Sequence, residues 1–357
     1  MIPMPGFEDF KLAVEGLSGG KNTVLFDDGG MPSVMVPIFS RLSSELDPTM
    51  GDTVHPAFRA GGKNYTVVYI SKFQNIVSGG RAYSLPLQDP AGSVSFDEAV
   101  RICRAKGRGW GLTPAALWSA VALWCRKNGT QPRGNNYFGR DYSRREESGV
   151  VTFREDFRDN RVAAGSGPAS WYHDGTPDGI ADLYGNVSEW CAGVRLVRGE
   201  LQLIPDSDAI LPETSMSEDS EQWRDILADG GFARPGSEGS LKLDYAGGSW
   251  KISEKISSSE DDTRECLFRD MSYDPEELKE GVPQFIKELT LFPASRSLSP
   301  YHSDYLYANN AQDERILLRG GNWTSGTHAG VFYSAIDATR TRTLPRLGFR
   351  SAYYGIS

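Results

Sequence analysis

Apolar and polar residues repeat along this chain with two periods, and the change of period divides it into parts. From Ser33 to Ser40 and from Tyr65 to Phe73, β-branched and aromatic residues dominate short runs, which predicts the first strands of a sheet. The period then lengthens. Ser95-Phe96-Asp97-Glu98 has the form of a capping box, in which the serine accepts from the N–H three residues on and Glu98 reaches back. With Phe96, Ala99, Val100 and Cys103 as an apolar face, it predicts a helix over 96–105. Thr113-Pro114 supplies an N-cap and a proline at the first helical position, and Leu117, Val121, Leu123 and Trp124 run to Asn128-Gly129, so a second helix is expected over 114–127.

The remaining stretches are read by what interrupts the pattern. Residues 1–32, punctuated by Gly6, Gly16, Gly19, Gly20, Gly29 and Gly30, are expected to be an arm or small oligomerisation element ahead of a domain over 33–357. Residues 129–170 are polar and rich in arginine and glycine, and no Lys-Ser/Thr follows Gly139, so Gly134 to Gly139 is not a phosphate loop. Between Pro205 and Asp229 stand eight acids against one arginine, and acids dominate again from Glu260 to Glu280. Solvated insertions near 200–240 and 255–312 are the expectation. Gly247-Gly248-Ser249-Trp250 and Gly320-Gly321-Asn322-Trp323 predict two strands that each open on a glycine pair and carry a tryptophan into the core, with Trp190 as a third anchor.

Composition narrows the class. Among 357 residues, 39 Gly, 20 Pro, 8 Trp and 15 Tyr favour many turns and aromatic anchors, hence a loop-rich α+β fold. A formal charge of −9 argues against nucleic acid as a partner. No apolar run approaches the ~20 residues of a membrane span, and Met1 to Gly6 does not begin like a secretory signal. Cys103, Cys125, Cys191 and Cys266 are spaced as buried reduced thiols rather than as a disulfide framework or zinc site. Against this acidic background, residues 316–357 hold five arginines and one acid, Asp337, which marks a surface with its own task, ligand binding.

Ser-Phe-Asp-Glu-Ala-Val (95–100), Leu-Thr-Pro (112–114), Asp-Leu-Tyr-Gly-Asn-Val-Ser-Glu-Trp (182–190) and Leu-Arg-Gly-Gly-Asn-Trp (318–323) occur in the order seen in the formylglycine-generating-enzyme branch of the C-type lectin fold. Over roughly residues 60–355 the chain resembles that branch. The resemblance implies two helices packed on a twisted antiparallel sheet. Enzymes of the branch hold copper on two cysteines between Arg-Gly-Gly-x-Trp and Gly-Phe-Arg, whereas Thr324 to Leu347 contain none, and His55, His173, His302 and His328 are scattered rather than clustered for iron. A non-enzymatic protein that requires no cofactor is therefore expected.

The C-terminal block is similar to the variable region of diversity-generating-retroelement variable proteins, relatives of the phage major tropism determinant. It keeps Arg319, Gly320, Gly321, Asn322, Trp323, Gly326, Ala329, Gly330, Val331, Phe332, Gly348, Phe349, Arg350, Ser351 and Ala352. The resemblance makes 319–350 the variable region, with Arg319, Gly320, Gly321, Trp323, Gly348, Phe349 and Arg350 as its frame. At the diversified positions stand Thr324, Ser325, His328, Ala335, Asp337, Ala338, Arg342, Leu344, Pro345 and Arg346. These obey no common period, size or polarity, as exposed positions do. The implied partner is a protein or cell-surface ligand set by those residues, without nucleic acid or membrane insertion. An oligomer, and a place on a phage tail or in or on a bacterium, are compatible with it. Some relatives hold Ca²⁺ at the Gly-Asn-x-x-Glu-Trp turn, here Gly185, Val187 and Glu189. The alternative is that Glu189 ties the turn down by hydrogen bonds alone.

Overall fold

The helices form where capping and stop residues place them. The computed structural model describes residues 6–295 and 301–356, so the Met1 to Pro5 stretch and residues 296–300 of the second insertion lie outside it. The chain opens with helix α1 (Phe7–Leu17), then the hairpin of β1 (Thr23–Phe26) and β2 (Pro32–Phe39), then β3 (Val67–Ser71). Helix α2 (Phe96–Arg104), strand β4 (Trp110–Leu112) and helix α3 (Ala115–Asn128) follow. After the irregular connection come β5 (Ser188–Val197), β6 (Glu200–Leu203), β7 (Lys242–Ala246), β8 (Ser249–Ser253) and β9 (Arg264–Leu267). The chain closes with β10 (Tyr305–Ala308), β11 (Arg315–Gly320), β12 (Gly330–Ala338), β13 (Leu347–Phe349) and β14 (Ser351–Tyr353).

Both predicted helices are present, with altered caps. Ser95 Oγ accepts from Glu98 N–H at 3.3 Å, while the Glu98 carboxylate faces Arg101 at 3.8 Å rather than the cap. For α3 the N-cap is Pro114, and Thr113 instead donates from both its hydroxyl and its N–H to Arg350 C=O, tying the helix start to the C-terminal strand. Gly129 ends α3 at φ 66°, the left-handed value a helix stop needs. From Ala115 to Leu123 every residue of α3 is buried, so the helix runs inside the molecule rather than along its surface.

The resulting fold is mixed helix and sheet, mostly sheet and loops. One five-stranded antiparallel sheet runs β1-β2-β3-β14-β4. A twelve-stranded sheet runs β9-β10-β12-β11-β5-β6-β7-β8 and on to Ser272–Tyr273, with β13 beside β5. The single antiparallel sheet expected is thus replaced, among the described residues, by these two sheets and three two-stranded ones, and β10–β12 and β5–β13 pair in parallel.

Three expectations are corrected here. The boundary drawn at residue 32 falls inside the β1–β2 hairpin, and Val24 and Phe26 are core residues, so the N-terminal segment is part of the first sheet. The acidic regions near 200–240 and 255–312 contribute strands to the large sheet rather than standing wholly off it. Their acids alternate with apolar residues that the fold buries, Trp223, Ile226, Phe285 and Ile286 among them. Lastly, the two glycine pairs differ: Gly247-Gly248 turns the β7–β8 hairpin and places buried Trp250 on β8, whereas Gly320-Gly321 closes β11 and Trp323 is buried from the following turn. The four cysteines are free and buried.

Candidate ligand-binding face

The frame residues are held from within. Arg350 is fully buried and meets Glu189 through two bonds, Nε to Oε2 at 2.6 Å and Nη2 to Oε1 at 2.7 Å. Its remaining N–H groups reach Ser71 C=O and Ala181 C=O, both at 3.0 Å. One guanidinium thus joins β3, the turn before β5, and the end of the variable segment. Arg319, also fully buried, donates to Leu289 C=O at 2.6 Å, Thr290 C=O at 3.3 Å and the Ser334 hydroxyl, and burial pushes its pKa down to about 10. Gly321 has φ 74°, and a Cβ there would stand 2.8 Å from that of Ala329; at Gly348 it would meet Ala91 C=O at 2.6 Å. Glycine is required at both by close approach.

The loop 324–328 leaves this frame as a hydrogen-bonded turn. Asn322 Oδ1 accepts from Thr324 N–H and hydroxyl at 3.0 and 2.8 Å, and Ser325 Oγ accepts from Asn322 N–H at 3.0 Å. Asn136, from the polar connection, donates its side-chain amide to Gly326 C=O at 2.6 Å and accepts Gly326 N–H at its own C=O at 2.9 Å. Thr324 is exposed, Ser325 half-buried, and their backbones are fixed.

His328 carries the loop onto the second acidic region. Its ring stacks on Tyr305 with centroids 3.7 Å apart and planes within 10°, and Tyr307 Oη lies 2.5 Å from its Nδ1. Tyr333, on β12, stands 5.6 Å from Tyr307. Burial, with Glu265 next in effect, holds the Tyr307 phenol well above its ordinary pKa, and burial with Asp337 does the same for Tyr333. Asp337 accepts from Thr263 at 3.2 Å and has Arg342 at 3.9 Å. His328 meets Tyr305 and Tyr307, and Asp337, Arg342 and Arg346 lie within electrostatic reach of Tyr333 beside them, so these four positions gather about a tyrosine cluster that was not expected from the sequence. The usable signal was Tyr305-Leu306-Tyr307-Ala308, a period-2 run with two aromatics on one side.

Two expected contact residues are placed otherwise, while Leu344 and Pro345 are half-buried. Ala335 is 4% exposed and Ala338 0%, both inside the core cluster formed by Trp190, Phe349 and α2, because β12 turns those positions inward. Leu344 packs against that cluster too, and Pro345 C=O accepts from Arg161 at 2.9 Å. The basic surface also dissolves on inspection. Arg319 and Arg350 are buried, and Arg340 pairs with Glu314 and Asp97 at 2.6 and 2.7 Å, which leaves Arg342 and Arg346 toward the face.

The turn expected to hold calcium is filled by protein donors. Gln74 Nε2 sits among Asp182 C=O (3.2 Å), Gly185 C=O (3.4 Å), Val187 C=O (3.1 Å) and Glu189 Oε1 (3.0 Å), while Asn186 donates to Gln74 Oε1 at 2.9 Å and fixes the amide's orientation. These are hydrogen-bond lengths, longer than the ~2.3–2.6 Å of a calcium shell, and the carboxylate is already matched by Arg350. The residues present do not fit the ion. Among the described residues no group of three or more His, Cys, Asp or Glu side chains is placed to hold a metal.

No protein-family model and no curated protein matches the chain. Among solved structures it is similar to Treponema denticola variable protein 1, at 12% identity over 93% of this chain and 98% of that one, with a TM-score of 0.32. It is similar to PvdO from Pseudomonas aeruginosa, at 12% identity over 93% and 97%, with a TM-score of 0.35. A Major Tropism Determinant P3c variant aligns at 9% identity over 93% and 71%, with a TM-score of 0.31. No helix among the described residues is long and apolar enough to cross a membrane.

Proposed function

We propose that the chain is a non-enzymatic ligand-binding protein of the C-type lectin fold. More narrowly, we read it as a variable protein whose C-terminal segment a retroelement diversifies, the ligand being a protein or a cell-surface group. One observation carries this reading. Within 319–350, residues that keep the family pattern, such as Arg319, Gly321, Gly348 and Arg350, are buried or sterically fixed, while four of the positions assigned to variation, His328, Asp337, Arg342 and Arg346, gather about Tyr305, Tyr307 and Tyr333. A backbone held by its frame tolerates side-chain exchange at such positions, as antibody loops do. The half-buried Tyr305 and Tyr307 lie beside His328, so a ligand there would meet aromatic rings as well as the positions assigned to variation; tyrosine is a frequent binding anchor.

The deciding experiment is to sequence the DNA flanking the gene. The expected result is a near-copy of the stretch coding 319–350 that differs only at adenines, beside a reverse-transcriptase gene. If neither is present, diversification is refuted, and a fixed ligand for the same face becomes the reading to test.

A further inference from the structure

A cavity of about 310 Å³ opens among β2, α3 and the turns at 19–21 and 173–178. Val36, Ile38, Phe58, Val121 and Trp124 give it apolar walls, and none of its lining residues belongs to the variable segment. Its volume lies at the lower end of the range for small-molecule pockets. Of the titratable residues that line it, His173 is the buried one, 9% exposed. Its Nδ1 accepts from Ile180 N–H at 2.8 Å, which puts the ring proton on Nε2, and that N–H has no protein acceptor among the described residues. Burial lowers the imidazole to about 4, so the ring is neutral near pH 7. Trp124 lies beside it, centroids 5.2 Å apart, forming an aromatic shelf with a single donor.

Lys21, Arg41, Asp174 and Asp178 stand at the mouth, two cations and two anions, with Lys21 and Asp178 paired at 3.5 Å. Their formal charges cancel, so the mouth favours neither sign of ionic ligand. Nε2 is not among the buried side-chain atoms that lack a partner, so it opens on the cavity, and a ligand that displaces water there leaves the donor unmet unless the ligand itself accepts from it. We propose that this cavity binds an uncharged, mainly apolar small molecule that presents one hydrogen-bond acceptor, a ketone or ester oxygen, to His173 Nε2–H. The site is independent of the variable face.

The test uses the whole chain and prodan, an uncharged naphthalene carrying one ketone, whose emission shifts to the blue in apolar surroundings. Saturable one-to-one binding with a blue shift is expected. Ile38→Trp fills the cavity from β2 and should weaken binding at least about tenfold, with Ile38→Phe as the milder filling should the tryptophan variant not fold. 2-Dimethylaminonaphthalene, the same body without the ketone, should bind several-fold more weakly. Replacing Arg342, which does not line the cavity, should leave prodan binding unchanged. The proposal is overturned by absence of saturable binding, whether the cavity stays empty or a second copy of the chain covers it. It is equally overturned by binding that survives both fillings, or by equal affinity for the ketone-free compound.

Discussion

Glu189→Gln tests the frame at its most loaded point. The substitution keeps shape and one acceptor but removes the charge that Arg350 meets through bonds of 2.6 and 2.7 Å, leaving a guanidinium with no exposed surface and no counter-ion in contact. Removing one partner of a buried pair costs about 3–5 kcal/mol, because the other charge stays desolvated. At roughly 2.1 cal/mol/K of unfolding entropy per residue, a chain of 357 residues loses about 4–7 °C of Tm for that cost. Differential scanning calorimetry of the wild type, Glu189→Gln, Arg350→Met and the double variant measures it, and the double variant should recover part of the loss. Each scan is repeated in calcium and in EDTA. Because Gln74 Nε2 occupies the centre of the oxygen set, the wild-type Tm should not respond to either. A loss below about 1 kcal/mol in Glu189→Gln would refute the view of this pair as the frame's anchor. A Tm that falls in EDTA would refute the assignment of those oxygens to Gln74.

Ala338→Arg places a charge at a fully buried position of β12 and is expected to cost more than about 3 kcal/mol in urea unfolding, whereas Arg342→Ser should stay within about 0.5 kcal/mol. Replacing Thr324, His328, Asp337, Arg342 and Arg346 together by serine should leave near-ultraviolet circular dichroism unchanged while abolishing retention on any cell-surface target that the wild type selects; loss of the folded signal would show those residues to be structural. Asp304 is fully buried, accepting from Phe332 N–H at 2.8 Å, and burial raises its pKa to about 7. A folded-state value above the unfolded one means a contribution to stability that is full below about pH 4 and lost as pH rises through 7. Asp304→Asn should therefore gain roughly 2.5 kcal/mol on the wild type between pH 5 and pH 8, and parallel pH profiles for the two proteins would exclude a titrating Asp304.

The helices were legible because their signals are local: Ser95 caps its own turn, and Gly129 needs only its own φ to stop α3. The frame was legible for a different reason, since close approaches such as Gly348 to Ala91 leave a single acceptable residue. What could not be read was long-range pairing. Net charge hid β9 and β10, which lie within an acidic stretch, and only the pairing of β10 with β12 brings Tyr305 and Tyr307 beside the proposed face. Ala335 and Ala338 failed similarly: absence of a helical or strand period in the segment as a whole does not reveal that these two positions point inward. The turn at Glu189 offered oxygens in a row, but Gln74 lies 115 residues away, too far for any local pattern to announce it.

Strand β12, which carries Asp337 of the candidate face, has a neighbour on each side, β10 in parallel and β11 antiparallel. Its N–H and C=O groups are therefore committed to ladder bonds on both flanks, whatever side chains it bears. An outermost strand exchanged at random would regularly present a sticky, unpaired margin to other copies of the chain, the usual route to edge-to-edge aggregation. An interior strand does not. By flanking β12, β10 keeps that strand's margin paired whatever side chains it bears.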